Sequence, residues 1–285
     1  MKRHLLAIAT ILCLLPLTSA AHKQWLVPSA TVVAGNDAWV TVDAAVSNQL
    51  YFPDHVPMRL DNVTIVAPDG RVQTPRNPTT GKYRSVFDVQ LDQEGTYRIA
   101  NVNAGLSARW DTPESLAAAS TGTAQAGGNG SPRGGFLRNA TPEQLATQIP
   151  GNARNLKVTE ILGRVETFVT HGSPSTITLT GKGLELLPVT HPNDLFAGDE
   201  ATFRLMVDGK PASGVDIEII RGGTRYRNAQ DEIKVTTGTD GSFKVRWPEP
   251  GMYWLEASTI DNQSSVPQAT QRRLGYTATL EVLPQ

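Results

Sequence analysis

Phe87-Asp88-Val89-Gln90-Leu91-Asp92-Gln93-Glu94-Gly95-Thr96-Tyr97 and Phe243-Lys244-Val245-Arg246-Trp247-Pro248-Glu249-Pro250-Gly251-Met252-Tyr253 share one pattern, F-x-V-x-[L/W]-x-x-x-G-x-Y, at identical spacing. Side chains alternate across a strand, so Phe, Val and Leu or Trp fall on one inward face. The glycine supplies a bend, and the tyrosine two residues later stands where the tyrosine corner of a β-sandwich stands. Two copies of such a unit in one chain predict two sandwiches in tandem.

Working outward, period-two alternation between turn signals recurs at Ala38 to Val46, Val63 to Ala67, Val86 to Leu91 and Tyr97 to Val102. A second set covers Thr176 to Thr180, Leu184 to Val189, Ala201 to Val207, Val215 to Ile220, Phe243 to Trp247, Tyr253 to Ala257 and Tyr276 to Leu283. The expected fold is all-β: two immunoglobulin-like or prealbumin-like sandwiches, over residues 22–173 and 174–285. Gly172 to Pro174 marks the boundary. Within the first, at about 104–155, alternation gives way to small polar residues with Gly127-Gly128-Asn129-Gly130 at the centre, which reads as a long irregular insert. Thr112-Pro113-Glu114 and Thr141-Pro142-Glu143 each offer a helix start within it. The insert is either a surface excursion or a lid over a site. Leu156 to Thr170 reads as a strand or two returning to the first sandwich.

Residues 1–21 read as a cleavable signal: a basic Met1-Lys2-Arg3-His4, an apolar run from Leu5 to Leu17, and small residues at Ser19, Ala20 and Ala21. Cleavage fits after Ala20 or after Ala21, and the expected location is periplasmic. The only cysteine, Cys13, leaves with this segment, so a mature disulfide or thiolate metal site is excluded. With 26 basic against 27 acidic side chains, charge makes no case for nucleic acid or an anionic membrane. No later segment has the length and apolarity of a membrane span.

Hydrolase, metalloprotease, phosphate-loop and dinucleotide motifs are absent, so no enzyme is expected. The mature chain has four histidines, His22, His55, His171 and His191. Cleavage after Ala21 would leave the His22 amine and ring to chelate one ion; cleavage after Ala20 would offer the Ala21 amine, the His22 amide and the ring. The second set, three nitrogens in a plane, suits Cu(II) or Ni(II), and the ion expected at the terminus is one Ni(II), Co(II) or Cu(II). The alternative is a surface histidine that happens to follow the cut. His55, bracketed by Pro53 and Pro57 in a stiffened loop, is the candidate second ligand or a packed loop residue, and Asp54 a ligand or an orienting partner. His171 and His191, near the proposed boundary, are weaker candidates. Trp25, Trp39, Trp247 and Trp254 read as core; Trp110 reads as loop anchor or binding aromatic. Arg133, Arg138 and Arg154 are scattered cations able to meet an anion.

Ala21-His22-Lys23-Gln24-Trp25-Leu26-Val27-Pro28, the Tyr51 to Met58 loop with Leu60-Asp61, and Leu184 to Pro188 with Asn193-Asp194-Leu195 carry a resemblance. So do Gly198-Asp199, Asp208-Gly209-Lys210-Pro211, Thr239-Asp240-Gly241-Ser242-Phe243 and Pro250-Gly251-Met252-Tyr253-Trp254. Together they resemble a family of exported bacterial proteins, a domain of unknown function, described as periplasmic components of nickel/cobalt transport systems. The resemblance implies capture or delivery of a divalent transition metal, with His22 as ligand and a membrane metal transporter or outer-membrane receptor as partner. Few histidines favour a single site over storage. Imidazole binds metal only when neutral, so affinity is expected to fall below about pH 6. Two other readings stand beside this one: a metal-free envelope module for carbohydrate or protein, and a copper histidine-brace oxidative enzyme.

Overall fold

The structure, a computed structural model, describes residues 22–120 and 134–285. The expected signal with Ala21, the Gly127 to Gly130 cluster and Arg133 lie outside the described residues. In chain order the first strands are β1 (Lys23–Pro28), β2 (Val32–Val33), β3 (Ala38–Ser47), β4 (Val56–Pro57), β5 (Val63–Val66), β6 (Val72–Gln73), β7 (Arg76–Thr80), β8 (Ser85–Leu91), β9 (Gly95–Asp111), β10 (Gly135–Ala140) and β11 (Arg154–His171). There follow β12 (Leu184–Pro188), β13 (Glu200–Val207), β14 (Lys210–Pro211), β15 (Asp216–Arg221), β16 (Ile233–Thr236), β17 (Ser242–Arg246), β18 (Gly251–Asp261) and β19 (Gln271–Val282). Helices α1 (Pro113–Ser120) and α2 (Pro142–Gln148) both start at the Thr-Pro-Glu signals. Thr141 and Gln144 close a reciprocal capping box at α2.

The chain is all-β, built as two sandwiches. A first sheet runs β1-β3-β8-β7 with β4 on β3, and a third runs β12-β13-β14 with β17 on β13. Between them lies a ten-stranded sheet, β16-β15-β18-β19-β11-β9-β5-β6, with β10 on β9 and β2 on β11. Strand β11 joins the halves: it pairs antiparallel with β9 and parallel with β19. Val165 and Val169 enter the first core, Phe168 the second. Because alternate residues face opposite ways, the two sandwiches use opposite faces of one shared sheet.

The repeated motif lies in the cores as its alternation requires. Phe87, Val89 and Leu91 are buried in the first, Phe243, Val245 and Trp247 in the second. Both tyrosine corners form. The Tyr97 hydroxyl donates to Asp92 Oδ1 (2.9 Å) and accepts from Gln93 N (2.8 Å); the Tyr253 hydroxyl donates to Glu249 O (2.7 Å). Gly95 has φ 126°, and a Cβ there would sit 2.6 Å from Pro68, so both conformation and space demand glycine.

Three expectations differ in detail. The irregular stretch is narrower than 104–155, because β9 continues to Asp111 and β11 starts at Arg154. Leu106, Ala108 and Trp110 alternate inward onto Ala140, Leu145 and Val158, a small third core that interspersed small residues conceal from the pattern; Trp110 is an anchor in it. Thr176 to Thr180 joins no sheet. Its backbone is taken by side chains instead: Thr178 O accepts from Arg98 (3.2 Å) and Thr180 N donates to Glu185 (3.0 Å). Trp39 is 40% exposed on the outer face of β3 and donates to Asp37, so it is not core.

Arg98 and Glu185 belong to a charge network buried on the second-sandwich face of the shared sheet. Arg98 donates to Glu166 (2.7 and 3.3 Å) and to Glu185 (3.0 Å), and Tyr276 OH donates to Glu166 (2.5 Å). Arg164 lies 3.6 Å from each carboxylate. Two cations against two anions leave the cluster balanced. Burial by itself would lower the pKa of Arg98, but the charge of Glu166 and its hydrogen bonds raise it above the ordinary value.

Candidate functional site

His22 precedes β1 and His55 precedes β4, two strands that flank β3 on opposite edges. Lys23 pairs with Ser47 and Val56 with Val46, so both histidines arrive at the same end of β3. Their rings stack, centroids 4.0 Å apart and 8° from parallel, and both residues are exposed. Of the residues singled out from sequence, this is the pair that the fold brings together. The parallel stack places the lone pairs side by side rather than converging them. Sharing one ion therefore requires an exposed ring to turn about its χ angles.

The His55 loop is held from three directions. Asp54 Oδ1 accepts from the Asn48 backbone N–H (2.8 Å), from Asn48 Nδ2 (3.2 Å) and from the Ser47 hydroxyl, which in turn takes the Asp54 N–H (2.9 Å). Asp54 thus fixes the turn before His55. Tyr51 sits in the left-handed region (φ 59°), a conformation a bulky residue keeps only under external constraint. Its ring meets Trp25 edge-on at 5.6 Å, and burial raises the pKa of its hydroxyl. From the second sandwich, Tyr226 packs on Phe52 (5.9 Å), and Arg225 lies over the Phe52 ring (4.1 Å) while donating to Gln49 (3.0 Å). Gly222 is required there: a Cβ would stand 2.9 Å from the Tyr51 ring.

Beneath the pair, Trp25, Ala45, Leu50, Ile220 and Trp254 form a buried cluster shared by both halves. Trp254 Nε1 donates to Gln24 O (2.8 Å), tying the residues after His22 to β18. Trp254, expected in the core, is buried but against the other half, while Arg225 and Tyr226 are the supporting residues that sequence reasoning missed. No periodicity marks them, because their role exists only where the two halves touch.

The other histidines are engaged structurally. His171 Nε2 faces Gly35 O (2.8 Å) and Nδ1 faces Gln93 O (3.1 Å). His191 Nδ1 accepts from Asn193 N (3.2 Å), so Nε2 carries the proton and donates to Thr96 Oγ1 (2.9 Å). Burial lowers the pKa of His191. Arg138 covers Phe136, and Arg154 donates to Ala153 O. Among the described residues, no group of three or more His, Cys, Asp or Glu is arranged to hold a metal. A site at His22 and His55 would thus need backbone nitrogen from the processed terminus.

The Ser47 hydroxyl and the Asn48 N–H hold the Asp54 carboxyl below the usual carboxylate range. Its folded pKa lies under its unfolded value of about 3.9. Its loop contacts are therefore present above that pH and are lost as pH falls through the lower, folded value. Asp54→Ala is expected to speed amide exchange at 48–55 while leaving exchange in β8 and β9 unchanged. Uniform acceleration would show that the loop is not a separate unit.

Fold and site define a tandem β-sandwich protein with a paired histidine at the edge of its first sheet. The chain belongs to the DUF4198 family, a domain of unknown function, which matches residues 19–261. No curated protein matches it. Among solved structures it is similar to the D0-D1 domain of intimin (11% identity, 90% of this chain, 96% of that one, TM-score 0.22). It is also similar to a mutant of Salmonella alpha-2-macroglobulin (13% identity, TM-score 0.19); that match covers 90% of this chain but 15% of that one. Neither superposition is close enough to carry over a site. No helix among the described residues is long and apolar enough to cross a membrane.

Proposed function

We propose that this is an exported periplasmic protein that holds one divalent transition metal ion at its processed N-terminus and passes it to a membrane transporter or outer-membrane receptor. The observation that carries the reading is the meeting of His22 and His55, far apart in sequence, ring on ring at 4.0 Å. The His22 ring, the His55 ring and nitrogen of the new terminus are the donors; an all-nitrogen set suits Ni(II), Co(II) or Cu(II). Both imidazoles must be neutral to bind. Asp54, Tyr51 and the Arg225 to Tyr226 turn hold the His55 backbone in place. The resemblance to nickel/cobalt uptake components supports delivery as the role.

Metal analysis with intact mass, on protein exported with its own signal, tests this. The expected result is about one ion per correctly cut chain, lost in His22→Ala, lost when one residue is added before His22, and weakened in His55→Ala. Equal metal content with the terminus blocked rejects the site. Absence of metal from correctly cut protein, with carbohydrate or protein binding that survives chelation, would favour a metal-free envelope module. An oxygen-reactive copper signal in electron paramagnetic resonance would instead favour a histidine-brace enzyme.

A further inference from the structure

On the second-sandwich face of the shared sheet, beside the charge network, lies a cavity of about 770 Å³. That is a volume typical of small-molecule sites. Val102, Ala104, Leu162 and Leu184 give it an apolar lining, and Arg164 and Lys182 bring cationic groups to it.

Its polar groups are unequally satisfied. At one end, Glu160 is fully engaged by the Ser264 hydroxyl (2.8 Å) and by the Ser265 N–H (2.8 Å) and hydroxyl (2.6 Å). Arg272 there is paired with Asp261 (2.7 and 2.8 Å) and Asp208 (2.5 Å). At the other end, Arg164, with its side chain 9% exposed, makes one hydrogen bond among the described residues, from Nη2 to Thr180 Oγ1 (3.1 Å). Its two carboxylate neighbours stand at 3.6 Å, beyond hydrogen-bond distance. A guanidinium has five donors, so most of its capacity is unspent. Lys182, exposed on the rim, has no partner among the described residues. The uncommitted groups at this end are thus donors.

We infer that this cavity binds a small organic monoanion, a carboxylate with an unbranched apolar body. The carboxylate would take the free donors of Arg164 with Lys182 beside it, and the hydrocarbon would lie over Leu162, Ala104 and Val102. A single negative charge is specified because Arg98 and Arg164 are already balanced by Glu166 and Glu185. Among the cations lining the cavity, Lys182 alone has no carboxylate partner among the described residues, and at the far end Glu160, Asp208 and Asp261 outnumber Arg272, which disfavours a second negative charge.

The test is titration calorimetry on the full mature chain with octanoate, in the presence of a chelator, so that it does not depend on the metal reading. The expected result is saturable binding of one octanoate, with octylamine and octanol much weaker. Lys182→Glu should weaken binding by about tenfold or more, a loss of about 1.4 kcal/mol. Ala104→Trp should abolish it by filling the cavity. Unfolding midpoints serve as the folding control; should Ala104→Trp unfold, the exposed Lys182→Glu decides alone. No octanoate binding, equal binding of octylamine, or undiminished binding in Lys182→Glu would overturn the site. Tighter binding of octyl phosphate would overturn the monoanion assignment.

Discussion

A Glu166→Ala variant is expected to lose about 3–5 kcal/mol of stability, the range for removing one member of a buried ion pair. Glu166 is fully buried and takes Arg98 through two nitrogens as well as the Tyr276 hydroxyl. Its removal leaves two arginines facing one carboxylate, and Arg98, its side chain 5% exposed, is the one that water reaches least. The loss arises mainly from the abandoned cations rather than from the pair itself. The double variant Arg98→Met with Glu166→Leu should therefore cost clearly less than the two single losses added together. Denaturant unfolding of the parent, Glu166→Ala, Glu166→Leu, Arg98→Met and the double variant measures this. A single-variant loss under about 1 kcal/mol would mean the network is well hydrated. Acid acts on the same cluster through Glu185. Burial would raise its pKa, but the Thr180 N–H and the charges of Arg98 and Arg164 prevail and lower it. The contribution of Glu185 is accordingly present above its unfolded pKa, about 4.3, and is lost as pH falls through the depressed folded value.

Trp254→Ala is expected to cost about 3–5 kcal/mol, as large aromatic truncations in a core do. It also removes the donor to Gln24 O at the start of β1. Its second effect reaches the histidine pair, because Trp25, Leu50 and Tyr51 lose the surface on which they rest. Faster amide exchange at 23–26 and 49–52 is the expected signature, together with weaker retention of any ion at the site we propose. Trp39→Ala is the contrast, staying within about 0.5 kcal/mol because Trp39 lies on the outer surface. Equal losses from the two substitutions would contradict the burial described above.

Two tryptophans so alike in sequence context show where pattern reading stops. Trp39 and Trp254 both sit in alternating strands, yet Trp39 shares its face of β3 with Thr41 and Asp43, so alternation already places it outward and only its residue type suggested core. Trp254 lies on the face of β18 opposite Tyr253 and Leu255, where a lone sandwich would meet water. It is buried because β1 of the other half covers that face. The Thr176 to Thr180 alternation was sound as a pattern, but Arg98 and Glu185 took the backbone groups that a ladder would have used.

The candidate site divides in the same way. That His55 stands in a stiff loop was legible from its flanking prolines. That it meets His22 was not, since the encounter needs β1 and β4 on opposite edges of β3 in particular registers. His171 and His191 looked comparable in sequence, but they face carbonyls and a hydroxyl that only the folded chain supplies.

Sequence by itself determined the all-β class, the two repeated Phe-Val-Leu/Trp strands with their glycine bends and tyrosine corners, and the starts of both helices. Each of these rests on interactions within a few residues of chain or on period-two burial. Tertiary structure alone decided that β11 fuses the sandwiches into one sheet, that four charges are buried on the second-sandwich face of that sheet, and that two distant histidines touch. Those features depend on which strand edges and faces meet, a choice made by long-range pairing and by burial of surfaces that no single segment contains.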